Sequence, residues 1–158
     1  RVDSPNNIGK INLNEVDYDY KLIVISDYDK GFLSESDIQT ICENHDNVFI
    51  DSKKILGDWA SKAKFIKIND YEYKRSEKFI SDELKSKIIH TMGGDGCKYQ
   101  NKVYKVNKVD VKDTSGAGDS FLAGLVIEYL KSNDIEKSIN FANKCASEVV
   151  KHRGVTVI

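Results

Sequence analysis

The chain has 158 residues, of which 40% are hydrophobic and 31% are charged, and its formal net charge is −1. This balance is typical of one soluble globular domain and argues against a disordered chain or a membrane protein. Because a nearly neutral chain does not attract nucleic acid or anionic lipid over long distances, we expect neither as a partner.

The first half of the chain predicts strands that alternate with helices. The continuous apolar run at 22–26 (LIVIS) is typical of a strand buried on both faces, and the runs at 48–51 (VFID) and 64–68 (KFIKI) predict two more strands. Between the first two runs, Ser34 and Asp37 have the spacing of a capping box, which predicts the start of a helix.

The second half continues the pattern with one helix after Asn69, which carries Phe79, Ile80 and Leu84, and a fourth strand at 87–91. A glycine turn follows at 93–96, and a hairpin is predicted around Asn101. Two apolar helices are predicted at 121–130 and about 135–149, and an edge strand at 155–158. We expect the helix at 121–130 to be central because it is apolar nearly all round.

Strands that alternate with helices and are continuously apolar predict an α/β fold with a mostly parallel sheet. In such sheets, ligands bind beyond the carboxyl ends of the strands. Polar or glycine clusters stand at five such ends: Asp27 with Lys30, Asp51 with Lys53, Asn69 with Glu72, 91–96 and 113–119. The sequence therefore predicts a ligand site at this edge of the sheet.

The segment 113–124 reads DTSGAGDSFLAG and joins two glycines, a carboxylate and a helix start. Gly116 and Gly118 let a ligand approach the backbone, and the N–H groups at a helix N-terminus stabilise an anion. Asp119 stands in the first turn, where it is placed to take a proton during phosphoryl transfer to a hydroxyl. The alternative is an ordinary glycine loop with an aspartate that favours the helix dipole. No GK[ST] follows, so the segment is not a Walker loop.

DTSGAGDSFLAG resembles the C-terminal signature of the ribokinase-like (PfkB) carbohydrate kinases. Further segments resemble family motifs in the same order: SDYDKG at 26–31 and DSKK at 51–54 (as in the heptose-7-phosphate kinase branch), NDYE at 69–72 (NxxE), TMGGDG at 91–96 (TxGxxG), and FANKCASEVV at 141–150, the helix that borders the adenine. The resemblance implies a three-layer α/β/α fold and ATP-dependent phosphorylation of a sugar or sugar phosphate, heptose 7-phosphate included. ATP, Mg²⁺ and K⁺ are the implied cofactors, and a homodimer is left open.

The resemblance also implies a role for individual residues. Asp119 would be the catalytic base, and the backbone N–H groups of Gly116, Ala117 and Gly118 would form the anion hole. Asn69 and Glu72 would hold Mg²⁺ through water, and Asp113 and Ser115 would bind a monovalent cation. Thr91, Gly93 and Gly96 would contact the nucleotide phosphates and ribose, and Asn143 would lie near the adenine. Asp27, Lys30 and Lys53 are the candidates for contacts with the substrate.

Several of these residues have a second interpretation. Asn69 and Glu72 also have the spacing of a capping box, which is compatible with a nearby Mg²⁺ that keeps most of its waters. Lys30 and Lys53 are equally well explained as solvated lysines, and His90 as a packing residue on a buried strand.

Family members are longer than this chain, and the resemblance covers their C-terminal half. We therefore expect residues 1–158 to be the C-terminal, nucleotide-binding part of one kinase domain, without the N-terminal half that makes most sugar contacts. The alternative is a nucleotide-binding fragment or non-catalytic module that has no turnover by itself. The three cysteines form no CxxC pair, which favours a reducing compartment, the cytoplasm.

Overall fold

The computed structural model describes residues 9–154, and within them the chain forms one six-stranded sheet with helices on both faces. The strands are β1 (Ile23–Asp27), β2 (Val48–Ser52), β3 (Phe65–Asn69), β4 (Ile88–Thr91), β5 (Cys97–Tyr99) and β6 (Lys102–Tyr104). The helices are α1 (Glu35–Asn44), α2 (Asp70–Ser76), α3 (Asp82–Lys87), α4 (Ala117–Ser132) and α5 (Ile135–Val149). The strand predicted at 155–158 lies outside the described residues.

The sheet is mostly parallel, as the sequence predicts. Its strands follow the order β1-β2-β3-β4-β5-β6, and the first four run parallel while β5 and β6 form an antiparallel hairpin. The register pairs Asp27 with Ser52 and Asn69 with Thr91, so the carboxyl ends of neighbouring strands stand side by side. The polar residues that follow these strands therefore meet at one edge.

Two hydrophobic cores sandwich the sheet because successive side chains of a strand point to opposite faces. On one face, Ile50 and Ile66 pack in one cluster with Ile38 of α1 and Leu84 of α3. On the other face, Phe49, Phe65 and Ile89 pack with Leu125 of α4 and Ile139 of α5. The predicted α/β/α layering is confirmed, and α4 is the element that brings the glycine segment to the sheet edge.

The expectation that the first strand is buried on both faces is wrong. Strand β1 is the edge of the sheet among the described residues, and Val24 is 44% exposed while Ile25 on the opposite face is 4% exposed. An apolar run alone cannot tell an edge strand from an interior one, since both bury at least one face.

The single helix expected after Asn69 is also wrong. Helix α2 is followed by a 3₁₀ turn at Glu77–Phe79, and α3 then begins anew behind Ser81, whose side chain accepts a hydrogen bond from the N–H of Leu84. Phe79 is 56% exposed and so does not join the core. A serine N-cap with two acidic residues behind it restarts the helix, and this local signal outweighs the apolar spacing.

The last two helices follow the predicted pattern with one correction. Helix α4 is not fully enclosed, because Ile127 and Leu130 are 47% and 51% exposed although Phe121 and Leu125 are buried. The apolar stripe predicted for α5 is confirmed, with Ile139 among its fully buried side chains. Within residues 9–154, no helix is long and apolar enough to cross a membrane.

Candidate active site at the carboxyl edge of the sheet

The carboxyl edge of the sheet contains a cleft of about 140 Å³ between β1, β2, β3 and the start of α4. Its walls are Ser26, Asp27, Tyr28, Asp51, Lys53, Lys67, Gly116, Gly118 and Asp119. The fold thus brings together three of the five predicted clusters, namely two strand ends and the glycine segment. The residues predicted at the other two strand ends, and Lys30, are not among those that line this cleft.

The glycine segment forms the N-terminus of α4. Gly116 is the N-cap and has a φ of 77°, in the left-handed region that glycine adopts without strain. Gly116 has no side chain that could cap the helix. The N–H of Ala117, predicted to join the anion hole, donates instead to the carbonyl of Thr114 at 3.2 Å. Asp119 lies in the first turn and is exposed toward the cleft. This is the arrangement of an anion-binding helix N-terminus with a carboxylate beside it.

A buried lysine completes the anion-binding side of the cleft. Lys67 lies within β3 and is 5% exposed, and its Nζ donates to Oδ2 of Asp51 at 2.5 Å. A Cβ placed on Gly118 would lie 3.1 Å from Lys67 Nζ, so the ammonium group stands directly beside the start of α4. The sequence alone does not single out Lys67. Its one signal is a charged residue inside a buried apolar strand, since lysine is almost never fully buried without a partner.

One carboxylate oxygen of Asp51, a residue of the cleft wall, has no hydrogen-bond partner. Its Oδ2 is held by Lys67, but its Oδ1 is buried and accepts no hydrogen bond, and Lys53 Nζ is 3.9 Å away from it. A buried polar atom that is left unpaired costs free energy unless a ligand or water satisfies it. The cleft therefore offers an oxygen ligand that the protein itself does not use.

Asp27, proposed from the sequence as a substrate contact, is engaged by the protein. Its Oδ2 accepts from Ser52 Oγ at 2.7 Å, its Oδ1 accepts from the N–H of Asp29 at 3.0 Å, and Lys54 Nζ lies 3.4 Å away. Burial disfavours the charge of Lys54, but the carboxylates of Asp29 and Asp27 outweigh it and raise its pKa. These contacts favour a structural role for Asp27, that of joining the ends of β1 and β2.

Asn69 and Glu72 form the capping box that their spacing predicts. The side chain of Asn69 accepts from the N–H of Glu72, and Oε2 of Glu72 accepts from the N–H of Asn69, both at 2.9 Å. Glu72 is 3% exposed, and its Oε1 also accepts a hydrogen bond from Lys53 Nζ. Although burial opposes the charge of Lys53, this partner and Asp51 raise its pKa. The predicted role of Glu72 toward Mg²⁺ stays a prediction beside this structural one.

The turn at 91–96 has a clear structural reason for one of its glycines. Gly96 has a φ of 89°, and a Cβ there would lie 2.1 Å from the carbonyl oxygen of Tyr104. Gly93 also has a positive φ, of 57°, and Thr91 Oγ1 donates to the carbonyl of Ile68 at 3.3 Å. The turn is thus needed by the β5–β6 hairpin, and its predicted contact with the nucleotide stays a prediction.

Two other predicted residues lie away from the cleft walls. Asn143 is buried on α5, and its Nδ2 donates to the carbonyl of Tyr104 at 3.1 Å. Asp113 accepts from the N–H of Ser115 at 2.8 Å and from the N–H of Gly154 at 3.0 Å, and these bonds lower its pKa. The structure thus gives both side chains a role in holding the backbone.

A tyrosine from the end of β1 reaches the carboxylate of Asp119. Tyr28 Oη lies 3.2 Å from Oδ1 and 3.4 Å from Oδ2 of Asp119. Tyr28 belongs to the quoted segment SDYDKG, but its sequence position gives no sign that it meets a residue on α4.

The described fold is that of the ribokinase-like enzymes. The ribokinase of Thermotoga maritima superposes with a TM-score of 0.74 at 16% identity, over 96% of this chain and 58% of that chain. A nucleoside kinase of Burkholderia thailandensis, solved in complex with inosine, gives 0.71 at 21% identity, over 90% of this chain and 53% of that chain.

Residues 21–158 match the model of the pfkB family of carbohydrate kinases, and the chain belongs to this family. The probable fructokinase-6, chloroplastic, of Arabidopsis thaliana is 32% identical over 126 residues, which are 65% of this chain and 32% of that protein. The bifunctional protein HldE of a Nitratiruptor species is 30% identical over 150 residues, 84% of this chain and 32% of that protein. The chain thus spans about a third of the length of these two curated relatives.

Proposed function

We propose that this chain supplies the nucleotide side, the anion-binding helix and the catalytic base of an ATP-dependent kinase that phosphorylates a hydroxyl of a sugar or sugar phosphate. The observation that carries the proposal is the convergence of Asp119, the uncapped N-terminus of α4 and the ammonium of Lys67 on one cleft. Membership of the pfkB family supports the same chemistry.

The cleft can perform each part of an in-line phosphoryl transfer. Asp119 takes the proton of the acceptor hydroxyl, whose oxygen forms the new bond to the γ-phosphorus of ATP while the bond to the β-phosphate oxygen breaks. The N–H groups of Gly116 and Gly118 and the charge of Lys67 stabilise the negative charge on the transferring group. Such preorganised charges are usually the largest single contribution to catalysis.

The carboxylates of the cleft fit a hydrated Mg²⁺. Oδ1 of Asp51 has no hydrogen-bond partner. Together with Glu72, this oxygen would accept hydrogen bonds from the water shell of the ion. Mg²⁺ supplies charge neutralisation on the nucleotide phosphates. Both oxygens of Asp113 already accept backbone N–H groups, so the structure lends no support to a K⁺ site at this residue.

The test is the release of ADP from ATP by the full gene product that contains this chain, with Mg²⁺ and a panel of acceptors. Heptose 7-phosphate comes first because SDYDKG and DSKK resemble the heptose-kinase segments, and ribose, fructose, fructose 1-phosphate and inosine complete the panel. Asp119→Asn is the matched variant, since it keeps the size of the side chain but cannot take the proton. We expect kcat to fall by about 10²–10⁴-fold at unchanged ATP affinity.

A nucleotide-binding module without turnover is the second candidate, since the chain covers only part of each of these relatives. It predicts ATP binding without ADP release for every acceptor. A variant Asp119→Asn with nearly the wild-type kcat would show that Asp119 is not the base. Its part would then be a contact with the helix dipole worth about 0.3–1 kcal/mol.

A further inference from the structure

The contact between Tyr28 and Asp119 links two elements that the chain brings together only through the fold. Tyr28 follows the last residue of β1, and Asp119 lies in the first turn of α4. The phenol lies at nearly equal distances from the two carboxylate oxygens, 3.2 and 3.4 Å, so neither oxygen is fully taken up by it. Each oxygen keeps lone pairs that face the cleft.

The position of Tyr28 also separates two environments. It lines the polar cleft, and it lines a second, apolar cleft of about 510 Å³ whose walls include Val24, Leu122 and Ile127. Asp119 lines both clefts as well, and the Tyr28 hydroxyl reaches its carboxylate. A Tyr is suited to this place because it joins an apolar body to a polar tip.

The Tyr28 hydroxyl is a donor at neutral pH. Burial and the negative charge of Asp119 both raise the pKa of Tyr28, so the phenol keeps its proton. A carboxylate accepts hydrogen bonds only, and the direction of the bond is therefore fixed from tyrosine to aspartate.

We propose that Tyr28 is the positioning residue of the catalytic carboxylate, which holds Asp119 so that one oxygen faces the acceptor hydroxyl. This inference rests on the proposed function, because it gives Asp119 the part of the base. Asp119 is exposed toward the cleft, and an exposed carboxylate is free to rotate about its side-chain bonds unless a neighbour fixes it. A donor shared by the two oxygens restricts this rotation, and each oxygen keeps a lone pair that can accept from the substrate hydroxyl.

The change Tyr28→Phe isolates the hydroxyl from the other groups of the cleft. The other charged groups around the cleft are Asp27 on β1, Asp51 on β2, Lys53 after β2 and Lys67 on β3. A phenylalanine at position 28 leaves all four in place, so a change in kcat is then due to the missing hydroxyl.

The kinetic experiment compares Tyr28→Phe with Tyr20→Phe in the full gene product. Tyr20 is 66% exposed and stands before β1, so its variant controls for the loss of a tyrosine hydroxyl elsewhere. For Tyr28→Phe we expect kcat to fall about threefold to tenfold and the KM for ATP to stay within about twofold. Tyr28 is 53% exposed and phenylalanine keeps the ring, so the thermal unfolding midpoint should stay unchanged.

A second measurement does not depend on turnover. The carboxyl ¹³C resonance of Asp119 is assigned by its absence from Asp119→Asn, and its chemical shift at neutral pH is compared in the wild type and in both tyrosine variants. We expect the chemical shift to change in Tyr28→Phe alone. An unchanged chemical shift, or an unchanged kcat in a protein whose Asp119→Asn variant is inactive, overturns the role of Tyr28. Normal activity of Asp119→Asn instead removes the proposed function, and the chemical shift still decides whether the contact exists.

Discussion

Two glycines of α4 show how the same residue type serves two different purposes. A Cβ on Gly118 would point into the cleft, 3.1 Å from the flexible end of Lys67. A Cβ on Gly124 would lie 2.9 Å from Sγ of Cys145 and 3.2 Å from Cα of Ala142, between two packed helices. The first glycine leaves space for a ligand, and the second allows α4 and α5 to approach each other.

We therefore expect opposite effects from the same substitution. Gly118→Ala should fold normally, because alanine is the better helix former by about 1 kcal/mol, but should bind ATP at least about tenfold more weakly. Gly124→Ala should lose about 1–3 kcal/mol of stability through overpacking, with unchanged ATP affinity in the folded protein. Urea denaturation and calorimetric ATP titration measure the two quantities. Equal ATP affinity of Gly118→Ala and the wild type would contradict the anion-binding role.

Variants of the ion pair between Lys67 and Asp51 can separate the effect of Lys67 on ATP binding from its effect on folding. Both side chains are almost fully buried, so Lys67→Met leaves the carboxylate of Asp51 without its hydrogen-bond donor, and we expect a loss of about 3–5 kcal/mol. The double variant Lys67→Met with Asp51→Leu removes both charges and should recover most of this stability. ATP binding should stay weak in both proteins, as measured by calorimetry. Recovery of ATP affinity in the double variant would show that Lys67 acts on folding alone.

At the scale of elements, the cap at the start of α2 adjoins the cleft, because Glu72 accepts a hydrogen bond from Lys53, a residue of the cleft wall. The capping box of α1, formed by Ser34 and Asp37, has the same hydrogen bonds and stands apart from the cleft wall. The hydrogen bonds of Ser34 lower the pKa of Asp37, so the contribution of this cap is present at neutral pH and is lost as the pH falls through that pKa. The capping box of α1 can serve as the control for the capping box of α2.

We expect Glu72→Gln to raise the Mg²⁺ concentration needed for half-maximal rate and to lower stability by about 1–3 kcal/mol, because Lys53 loses its buried partner. Asp37→Asn should weaken a cap without any change in the Mg²⁺ requirement. The comparison uses initial rates against Mg²⁺ and thermal unfolding for both variants. If the two variants show the same Mg²⁺ dependence as the wild type, the cap alone explains Glu72.

The elements that the sequence predicts well are those whose signal is local. The buried run of β2, the capping boxes of α1 and α2 and the stripe of α5 each depend on neighbours within a few residues. The exposure of Val24 and the pairing of Lys67 with Asp51 depend on the order of strands, which no local pattern contains. The contact of Tyr28 with Asp119 is of the same kind, since it exists only once β1 and α4 are packed side by side.

At the scale of the whole molecule, the side of the cleft that we propose for the acceptor is open in the described structure. The apolar cleft between β1 and α4 adjoins Asp119, and it leaves Val24 and Ile127 about half exposed. The curated relatives quoted above are longer than the chain, which covers about a third of each. We expect the additional length of such proteins to orient the acceptor and to exclude water on this side.

The last prediction compares the 158-residue chain with the full product of its gene, including any sequence that precedes residue 1. Orientation of two reactants contributes several kcal/mol to catalysis, and a site that is open to water loses it. We expect the chain alone to bind ATP through α4 and Lys67 but to release sugar-dependent ADP at less than about 1% of the rate of a longer product. Calorimetry of ATP binding is the control that the chain is folded. A sugar-dependent rate of the chain near that of the longer product would show that residues 1–158 contain the whole acceptor site.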